Sequence, residues 1–271
     1  MIAVVTGASS GIGQATARRL AREPGARLVL VARREERLRS LADELGGATV
    51  VAADLTADDA PARVAEAVHR EHGGLDLLVN NAGASWRGTF GEAGTDNLRR
   101  HMAVNFEAVA RLTQALLPTL RASAPSAIVN VSSVAGRIAR ARAGAYSASK
   151  FALCGWSEAL HLEEREHGVH VGLVLPGFVA TEGFPQRELT ERALTRRLVT
   201  RPEVLAEAII DAGLNRRAER YSPRYYALVP ALRVMAPGLV RRLTGGSAVT
   251  PSIPGEDRWS GALGHEDQTP R

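Results

Sequence analysis

The stretch VVTGASSGIGQATARRLA, residues 4–21, begins as an apolar run, passes through a glycine-rich turn and continues as an amphipathic helix. Gly7, Gly11 and Gly13 let the backbone turn sharply and approach a pyrophosphate, to which a helix N-terminus offers unpaired N–H groups. Such a glycine trio is also typical of a tight turn with close helix packing. Its place after the first strand favours dinucleotide binding, and the lack of a following Gly-Lys-Ser/Thr argues against a mononucleotide P-loop.

Short β-branched runs alternate with amphipathic stretches along the chain. The runs are IAVVT (2–6), RLVLVA (27–32), ATVVAA (48–53), LDLLVNN (75–81), AIVNVS (127–132) and VHVGLVL (169–175). Strands that are almost wholly apolar and separated by helices are typical of parallel strands buried on both faces. The pattern therefore predicts an α/β fold, a Rossmann-like, doubly wound, mostly parallel sheet flanked by helices, with a helical extension at the C-terminus.

The composition, 45% hydrophobic and 23% charged, is ordinary for a globular protein. The single cysteine, Cys154, excludes an intramolecular disulfide and suits a reducing compartment; we interpret it as a packed small residue and not as a nucleophile. The N-terminal MIAVVTG is read as a strand and not as a signal peptide, and no uncharged apolar run reaches the roughly 18 residues of a membrane span. We therefore expect a cytoplasmic protein, and the histidines show no metal-site spacing.

The net charge of +5 is concentrated near the C-terminus. Residues 216–242 carry seven arginines and one glutamate, whereas the first 215 residues are nearly neutral. A basic segment of this kind does not indicate a nucleic-acid-binding body. We divide the chain into a Rossmann domain (1–222), a basic amphipathic segment (223–245) and a Gly/Pro-rich tail (246–271) expected to be poorly ordered.

The second predicted strand ends in VLVARREE, with Arg33 and Arg34 where an NAD-binding domain usually carries an acid for the ribose 2′-hydroxyl. An arginine there pairs with a 2′-phosphate and lies along the adenine face. The alternative is a surface pair with Glu35 and Glu36 at a helix start. The pattern favours NADP(H) over NAD(H).

Four further motifs follow the glycine turn in order. They are LVNNAG (78–83), IVNVSSVAG (128–136), Tyr146-x3-Lys150 and LPGFVAT (175–181). With these motifs the chain resembles the short-chain dehydrogenase/reductase family from about Ile2 to Ala212. The resemblance implies an oxidoreductase that moves a hydride between nicotinamide and a carbonyl or secondary-alcohol substrate.

The resemblance makes Tyr146 the acid/base, with Lys150 assisting it and binding the nicotinamide ribose. Tyr146 and Lys150 are spaced i, i+4 and share one helix face, and an ammonium there should lower the tyrosine pKa toward the working range. Lys150 is the only lysine in the chain, which uses arginine at the other 33 basic positions. By the same resemblance Ser133 holds the substrate oxygen, and Asn105 supports the lysine through a water.

The family also implies a set of cofactor contacts in this sequence. They are Gly7, Ser9, Ser10, Gly11, Ile12, Gly13, Arg33, Arg34, Asp54, Leu55, Asn81, Ala82, Gly83, Tyr146, Lys150, Pro176, Gly177 and Thr181. Within this set Asp54 would meet the adenine amino group, and Thr181 the carboxamide side of the nicotinamide. Asn81 has an alternative role as a structural tie between neighbouring strands.

Beyond residue 212 the sequence departs from the family pattern. ERYSP (219–223) is a candidate last strand, and RYYALVPALRVMAPGLVRRL (224–243) reads as a substrate lid, an oligomer contact, a basic helix on an anionic membrane surface, or a helix packed on the domain. Phe178 and Phe184 are expected to line an apolar pocket, which favours an apolar small-molecule carbonyl or alcohol.

The expected assembly is a homodimer through the helices at about 91–119 and 143–167, as the family commonly pairs its subunits. Two alternatives to an enzyme stay open. One is a non-catalytic NADP(H)-binding redox sensor on the same fold, which would not need Ser133, Tyr146 and Lys150 together. The other is a membrane-peripheral scaffold organised by the C-terminal arginines.

Overall fold

The computed structural model describes residues 1–182 and 199–244. The strands are β1 (Ile2–Thr6), β2 (Arg27–Ala32), β3 (Thr49–Ala52), β4 (Leu77–Asn80), β5 (Ser126–Val131), β6 (Val169–Pro176), β7 (Phe178–Val179), β8 (Val199–Thr200) and β9 (Glu219–Ser222). The helices are α1 (Gly11–Leu20), α2 (Glu35–Glu44), α3 (Ala60–His72), α4 (Phe90–Met102), α5 (Ala108–Ala122), α6 (Gly144–Glu164), α7 (Pro202–Gly213), α8 (Leu228–Met235) and α9 (Pro237–Thr244).

Seven strands form one parallel sheet in the order β3-β2-β1-β4-β5-β6-β9. The chain builds outward from β1 to β3 and then returns to place β4 on the other side of β1. Ligands of open α/β sheets bind at such a switch point, beyond the carboxyl ends of the strands. The first glycine-rich turn follows β1 and therefore lies at this point.

The sheet is buried on both faces because alternate residues of its apolar strands pack against different helices. In β1, Ala3 and Val5 belong to the core beneath α1, α2 and α7, whereas Val4 belongs to the core beneath α3 and α5. Leu112, Leu116 and Leu120 of α5 belong to the second core. Packing in the two apolar cores thus fixes the positions of the strand ends, and the site is built on these ends.

The predicted fold class is confirmed, including the parallel sheet and the helical C-terminal extension. ERYSP does form the last strand, which pairs with β6 in parallel. The division into domain, basic segment and tail remains a prediction. Residues 183–198, with Phe184, and the tail from residue 245 lie outside the described residues. Within the described ranges, no helix is both long enough and apolar enough to cross a membrane.

Candidate active site

The glycine-rich turn between β1 and α1 has backbone geometry that side chains would block. Gly7 and Gly11 adopt φ values of +67° and +56°, in the left-handed region that glycine favours. A Cβ on Gly13 would lie 2.3 Å from the carbonyl oxygen of Gly7 and 2.6 Å from Nδ2 of Asn81. The turn therefore folds directly against the start of α1, and the first N–H groups of this helix face the carboxyl edge of the sheet.

Thr6 and Asn81 connect the glycine turn to the end of β4. The Asn81 amide donates to the carbonyl oxygen of Thr6 at 2.9 Å. The backbone N–H groups of Asn81 and Ala82 both donate to the Thr6 hydroxyl, at 2.9 and 3.0 Å. Asn81 thus ties the end of β4 to the end of β1, which was the alternative interpretation of this residue. These hydrogen bonds place Ala82 and Gly83 beside the turn.

Arg34, at the end of β2, lies against the glycine turn. Its guanidinium donates to the hydroxyls of Ser9 and Ser10, at 3.1 and 2.7 Å. The Glu182 carboxylate lies 3.6 Å from Arg34 and 2.7 Å from Arg37. Sequence reasoning missed Arg37 and Glu182, because only the fold brings residue 182 to the end of β2.

Arg33 is exposed, and its positive charge acts on the carboxyl of Asp54 at the end of β3. Burial opposes ionisation of Asp54, but hydrogen bonds from Thr56 and the charge of Arg33 outweigh it and lower the pKa of the carboxyl. Leu55 packs against the second core. Asp54 and Leu55, which were predicted to contact the adenine, therefore lie near one end of the switch point, and Arg33 is an exposed cation beside them.

Tyr146 and Lys150 lie on one face of α6, where the i, i+4 spacing places them. The Lys150 ammonium is buried, donates to the Val131 carbonyl at 3.0 Å, and lies 5.9 Å from the centre of the Tyr146 ring. The Ser133 hydroxyl is near enough to the Tyr146 phenol to lower the pKa of the phenol. Ser133 directs its hydroxyl to the Pro176 carbonyl at 3.4 Å, so the ends of β5, β6 and α6 meet at one point.

Ser132, the neighbour of Ser133, faces away from this point. Its hydroxyl lies 3.1 Å from the Lys150 carbonyl and 3.2 Å from the sulfur of Cys154. Cys154 is buried, and burial raises the pKa of its thiol, so the thiol remains protonated. The interpretation of Cys154 as a packed residue agrees with this position.

The pKa of Tyr146 differs from the expectation. Burial raises it above the usual value, and the hydrogen bond from Ser133 and the positive charge of Arg140 lower it only in part. Lys150 is not among the groups that lower the pKa of Tyr146, and burial lowers the pKa of its own ammonium to about 8. The chain therefore holds a protonated phenol at neutral pH, and the cation that favours its ionisation is Arg140.

Asn105 lies in a π-helical turn, Ala103–Glu107, between α4 and α5. Such turns are rare and frequent at functional sites. Its buried amide bridges both backbone groups of Ala84, at 2.9 Å each, and donates to the Ser149 hydroxyl at 3.0 Å. A Cβ on Gly83 would meet Oδ1 of Asn105 at 2.9 Å and Nζ of Lys150 at 3.5 Å. Asn105 and Lys150 therefore flank Gly83, and no larger residue fits between them.

A buried chain of polar side chains anchors α6 to the sheet. The Asn80 amide donates to Asn130 at 2.9 Å, and the Asn130 amide donates to Ser157 at 2.9 Å. Ser157 lies two helical turns beyond Lys150, on the same side of α6. Asn80 and Asn130 lie within two of the sequence motifs but had no predicted role, since only the pairing of β4 with β5 brings their side chains together.

The remaining predicted cofactor residues lie at the end of β6. A Cβ on Gly11 would lie 3.0 Å from Thr181, so Thr181 is in contact range of the glycine turn. Gly177 donates its N–H to the Ser222 carbonyl at 2.9 Å, and a Cβ there would lie 2.5 Å from the ring of Tyr226. Tyr226 belongs to the C-terminal extension, which thereby reaches the site.

Aromatic residues that sequence reasoning missed surround Tyr146. The His101 ring lies 6.0 Å from Tyr146 and 4.9 Å from Trp86. His101 accepts from the Trp86 N–H at 3.0 Å, its other ring nitrogen lies 2.8 Å from the Asn97 carbonyl, and burial lowers its pKa. A neutral histidine with both nitrogens occupied stabilises the loop at Trp86 and is not a proton donor to substrate.

The family assignment follows from this geometry and from comparison with known proteins. The model of the short chain dehydrogenase family matches residues 1–192. The chain therefore belongs to the short-chain dehydrogenase/reductase family, a family of oxidoreductases.

Relatives of this family align along different lengths of the chain. Dehydrogenase/reductase SDR family member 7B of Danio rerio is 35% identical over 190 residues, which are 66% of this chain and 61% of that protein. Uncharacterized oxidoreductase YxnA of Bacillus subtilis (strain 168) is 34% identical over 89% of this chain and 70% of that protein. L-sorbose reductase from Gluconobacter frateurii, solved with NADPH and L-sorbose, superposes with a TM-score of 0.73 at 29% identity, covering 81% of this chain and 93% of that one.

Burial of Lys150 predicts a pH dependence of stability. Its pKa is about 8 in the folded protein, whereas that of a lysine in water is 10.5. The folded state therefore bears the full cost of burying the charge below pH 8 and none of it above pH 10.5. Across this window the free energy of unfolding should rise by about 3 kcal/mol from this group.

Urea unfolding of the wild type and of Lys150→Met at pH 7 and pH 10.5 measures this rise. Other groups titrate equally in both proteins and cancel in the difference. The free energy of unfolding of the wild type minus that of the variant should increase by about 3 kcal/mol between pH 7 and pH 10.5. Equal differences at the two pH values would mean that burial does not perturb Lys150.

Proposed function

We propose that the chain is an NADP(H)-dependent oxidoreductase acting on a carbonyl or secondary-alcohol substrate. The observation that carries the proposal is the meeting of Tyr146, Ser133 and Lys150 beside the glycine turn at the switch point. A sensor that only binds a dinucleotide has no use for a phenol, a hydroxyl and a buried ammonium around one point. Turnover of a carbonyl panel with NADPH, described in the Discussion, tests it.

The residues present suit a dinucleotide. The backbone of the turn leaves no room for a Cβ at Gly13, and the start of α1 offers N–H groups with no acidic residue in the first turn. These features are those of a pyrophosphate site. Asp54 and Leu55 would hold the adenine side, and Gly83, Pro176 and Thr181 the nicotinamide side.

Proton transfer is the task of the chain's own residues, while the nicotinamide supplies or accepts the hydride. In reduction, Tyr146 donates its phenol proton to the substrate oxygen, and its raised pKa keeps that proton in place at neutral pH. Ser133 holds the same oxygen. Lys150, anchored to Val131, would hold the ribose, and the charge of Arg140 favours the phenolate that forms.

The preference for NADP(H) rests on Arg33 and Arg34 at the end of β2 and on the NADPH complex of the L-sorbose reductase. The two arginines differ in surroundings. Both are exposed, but Arg34 donates to Ser9 and Ser10 of the turn, whereas the charge of Arg33 acts on Asp54. Arg33 is thus the cation available to a 2′-phosphate, and Arg34 stabilises the turn as well.

Arg33→Ala should therefore weaken NADPH binding about tenfold or more, since a charge-assisted contact is lost, and leave NADH binding within about twofold. Arg34→Ala should weaken both dinucleotides, because the turn loses its hydrogen bonds. Dissociation constants from fluorescence titration measure the four values. Tighter NADH than NADPH binding by the wild type would reject the cofactor assignment.

Two expectations about partners remain predictions. Homodimerisation through α4, α5 and α6 would be tested by sedimentation velocity. Membrane contact is favoured by the exposure of Leu228, Val234 and Met235 beside the arginines of α8 and α9, and would be tested by co-sedimentation with anionic vesicles. Substitution by glutamate at these three positions is the matching control, because truncation would also remove Tyr226 from the site.

A further inference from the structure

Arg140 is a partly buried cation beside the proposed proton donor. It lies in the loop that leads from β5 into α6, with its guanidinium carbon 5.0 Å from the centre of the Phe178 ring. Its charge acts on the phenols of Tyr146 and Tyr226. Burial is the main cause that lowers the pKa of Arg140, and the charge of Arg87 adds to it. Arg87 and Arg140 are therefore close enough to repel each other, and the charge of Arg140 also acts on Tyr146.

The other arginines of this loop have carboxylate partners, which Arg140 lacks among residues 1–182 and 199–244. Arg137 forms ion pairs with Glu158 and Glu219. Arg142 pairs with Glu92 at 3.2 Å. A guanidinium partly removed from water, with no carboxylate partner in the described part of the chain, is costly, so its position calls for an explanation beyond surface charge.

Aromatic rings form the walls around Arg140. Phe178 lies under the guanidinium, and Tyr226 packs over Gly177, where burial raises its pKa to about 12. Arg233 of α8 ties the extension to the loop by donating to the Arg137 carbonyl at 2.8 Å. The C-terminal extension thus contacts the loop of Arg140 at the Arg137 carbonyl and the end of β6 at Gly177. A charge contact in partly buried surroundings of this kind is stronger than one in water.

We propose that Arg140 binds an anionic group of the substrate, a carboxylate or a phosphate, close to the carbonyl that Tyr146 protonates. The proposal rests on the proposed function and gives it a substrate class. A guanidinium presents a planar fork that matches two oxygens of either anion. The sequence favoured an apolar carbonyl or alcohol; the substrate proposed here has in addition an anionic end, with an apolar or aromatic contact on Phe178.

Matched pairs of carbonyl compounds test the proposal. Acetoacetate is compared with its ethyl ester, and dihydroxyacetone phosphate with dihydroxyacetone, at constant ionic strength with NADPH. The wild type should prefer the anionic member of at least one pair, and the pair that shows the preference separates carboxylate from phosphate. Arg140→Gln should lower kcat/KM for that anion about ten- to a hundredfold more than it lowers kcat/KM for the neutral partner, because any effect on Tyr146 is common to both compounds.

Two variants serve as controls. Arg140→Lys keeps the charge but loses the fork, and should recover part of the selectivity. Arg142→Gln alters an ion-paired arginine of the same loop and should leave the selectivity unchanged. If Arg140→Gln lost kcat/KM equally on both members of a pair, with a pH profile moved to higher pH, Arg140 would act only on Tyr146 and the proposal would be overturned. Equal kcat/KM of the wild type for the anionic and the neutral member of each pair would also overturn it.

Calorimetric titration separates this proposal from the proposed function. The wild type and Arg140→Gln are titrated with acetoacetate and with dihydroxyacetone phosphate, without cofactor. If no compound is reduced, the proposed function fails for the panel, yet binding of an anion that is lost in Arg140→Gln would still support the anion site. The anion-site proposal would be overturned if the wild type bound neither anion, or if the wild type and Arg140→Gln bound the anion equally well.

Discussion

Tyr146→Phe is expected to lower kcat for NADPH-dependent carbonyl reduction by about 10²- to 10⁴-fold, the usual contribution of a positioned proton donor. The variant keeps the ring that packs near His101 and loses only the hydroxyl that meets Ser133. The NADPH dissociation constant should therefore change by less than about threefold, since no backbone element moves. Initial rates across aldehydes, ketones and quinones, with NADPH titrations beside them, measure both quantities.

Tyr221→Phe is the matched control for this prediction. It removes a phenol hydroxyl from β9, outside the site, and should leave the rate within about twofold of the wild type. Tyr146→Phe activity within about tenfold of the wild type would exclude Tyr146 as the proton donor. Tight NADPH binding by the wild type with no turnover on any compound would favour the sensor alternative.

Gly13→Ala is expected to destabilise the protein by about 1–3 kcal/mol and to weaken NADPH binding by about tenfold or more, because overpacking forces the backbone to move. The new Cβ would lie 2.3 Å from the Gly7 carbonyl oxygen and 2.7 Å from its carbon. Both are backbone atoms that no rotamer change can relieve, so Gly7 and the pyrophosphate turn must shift. Urea unfolding and NADPH titration measure the two effects.

Gly155→Ala makes the same substitution in α6, where a Cβ meets nothing within 4 Å. It should stabilise the protein by about 0.5–1 kcal/mol through helix propensity. The two variants therefore have opposite signs for one chemical change. Gly13→Ala with wild-type stability and NADPH affinity would show that the turn does not approach α1 as closely as the structure has it.

Much of the fold was predictable from local pattern. The apolar runs of β1, β2 and β6 alternate with amphipathic helices, and burial on both faces of a parallel sheet is the arrangement that this pattern favours. The short run at Glu219–Ser222 was predictable only as a candidate, because two of its four residues are charged. Its pairing with β6 supplies the stabilisation that its composition lacks.

The candidate site was predictable where its residues lie close in sequence. Tyr146 and Lys150 share a face because a helix repeats every 3.6 residues, and the glycines of the first turn lie within seven residues. The pKa of Tyr146 was wrongly expected to fall. The burial that raises it and the charge of Arg140 that opposes it both depend on tertiary packing.

The sequence by itself determined the alternation of strands and helices, the glycine turn and the helical pair of tyrosine and lysine, since each depends on the spacing of neighbouring residues. Only the tertiary structure decided that Asn81 clamps the turn to β4, that Glu182 lies by Arg37, and that Tyr226 covers Gly177 beside Arg140. These contacts join residues far apart along the chain. Their geometry follows from the order of strands in the sheet and the burial of both its faces, which no local pattern encodes.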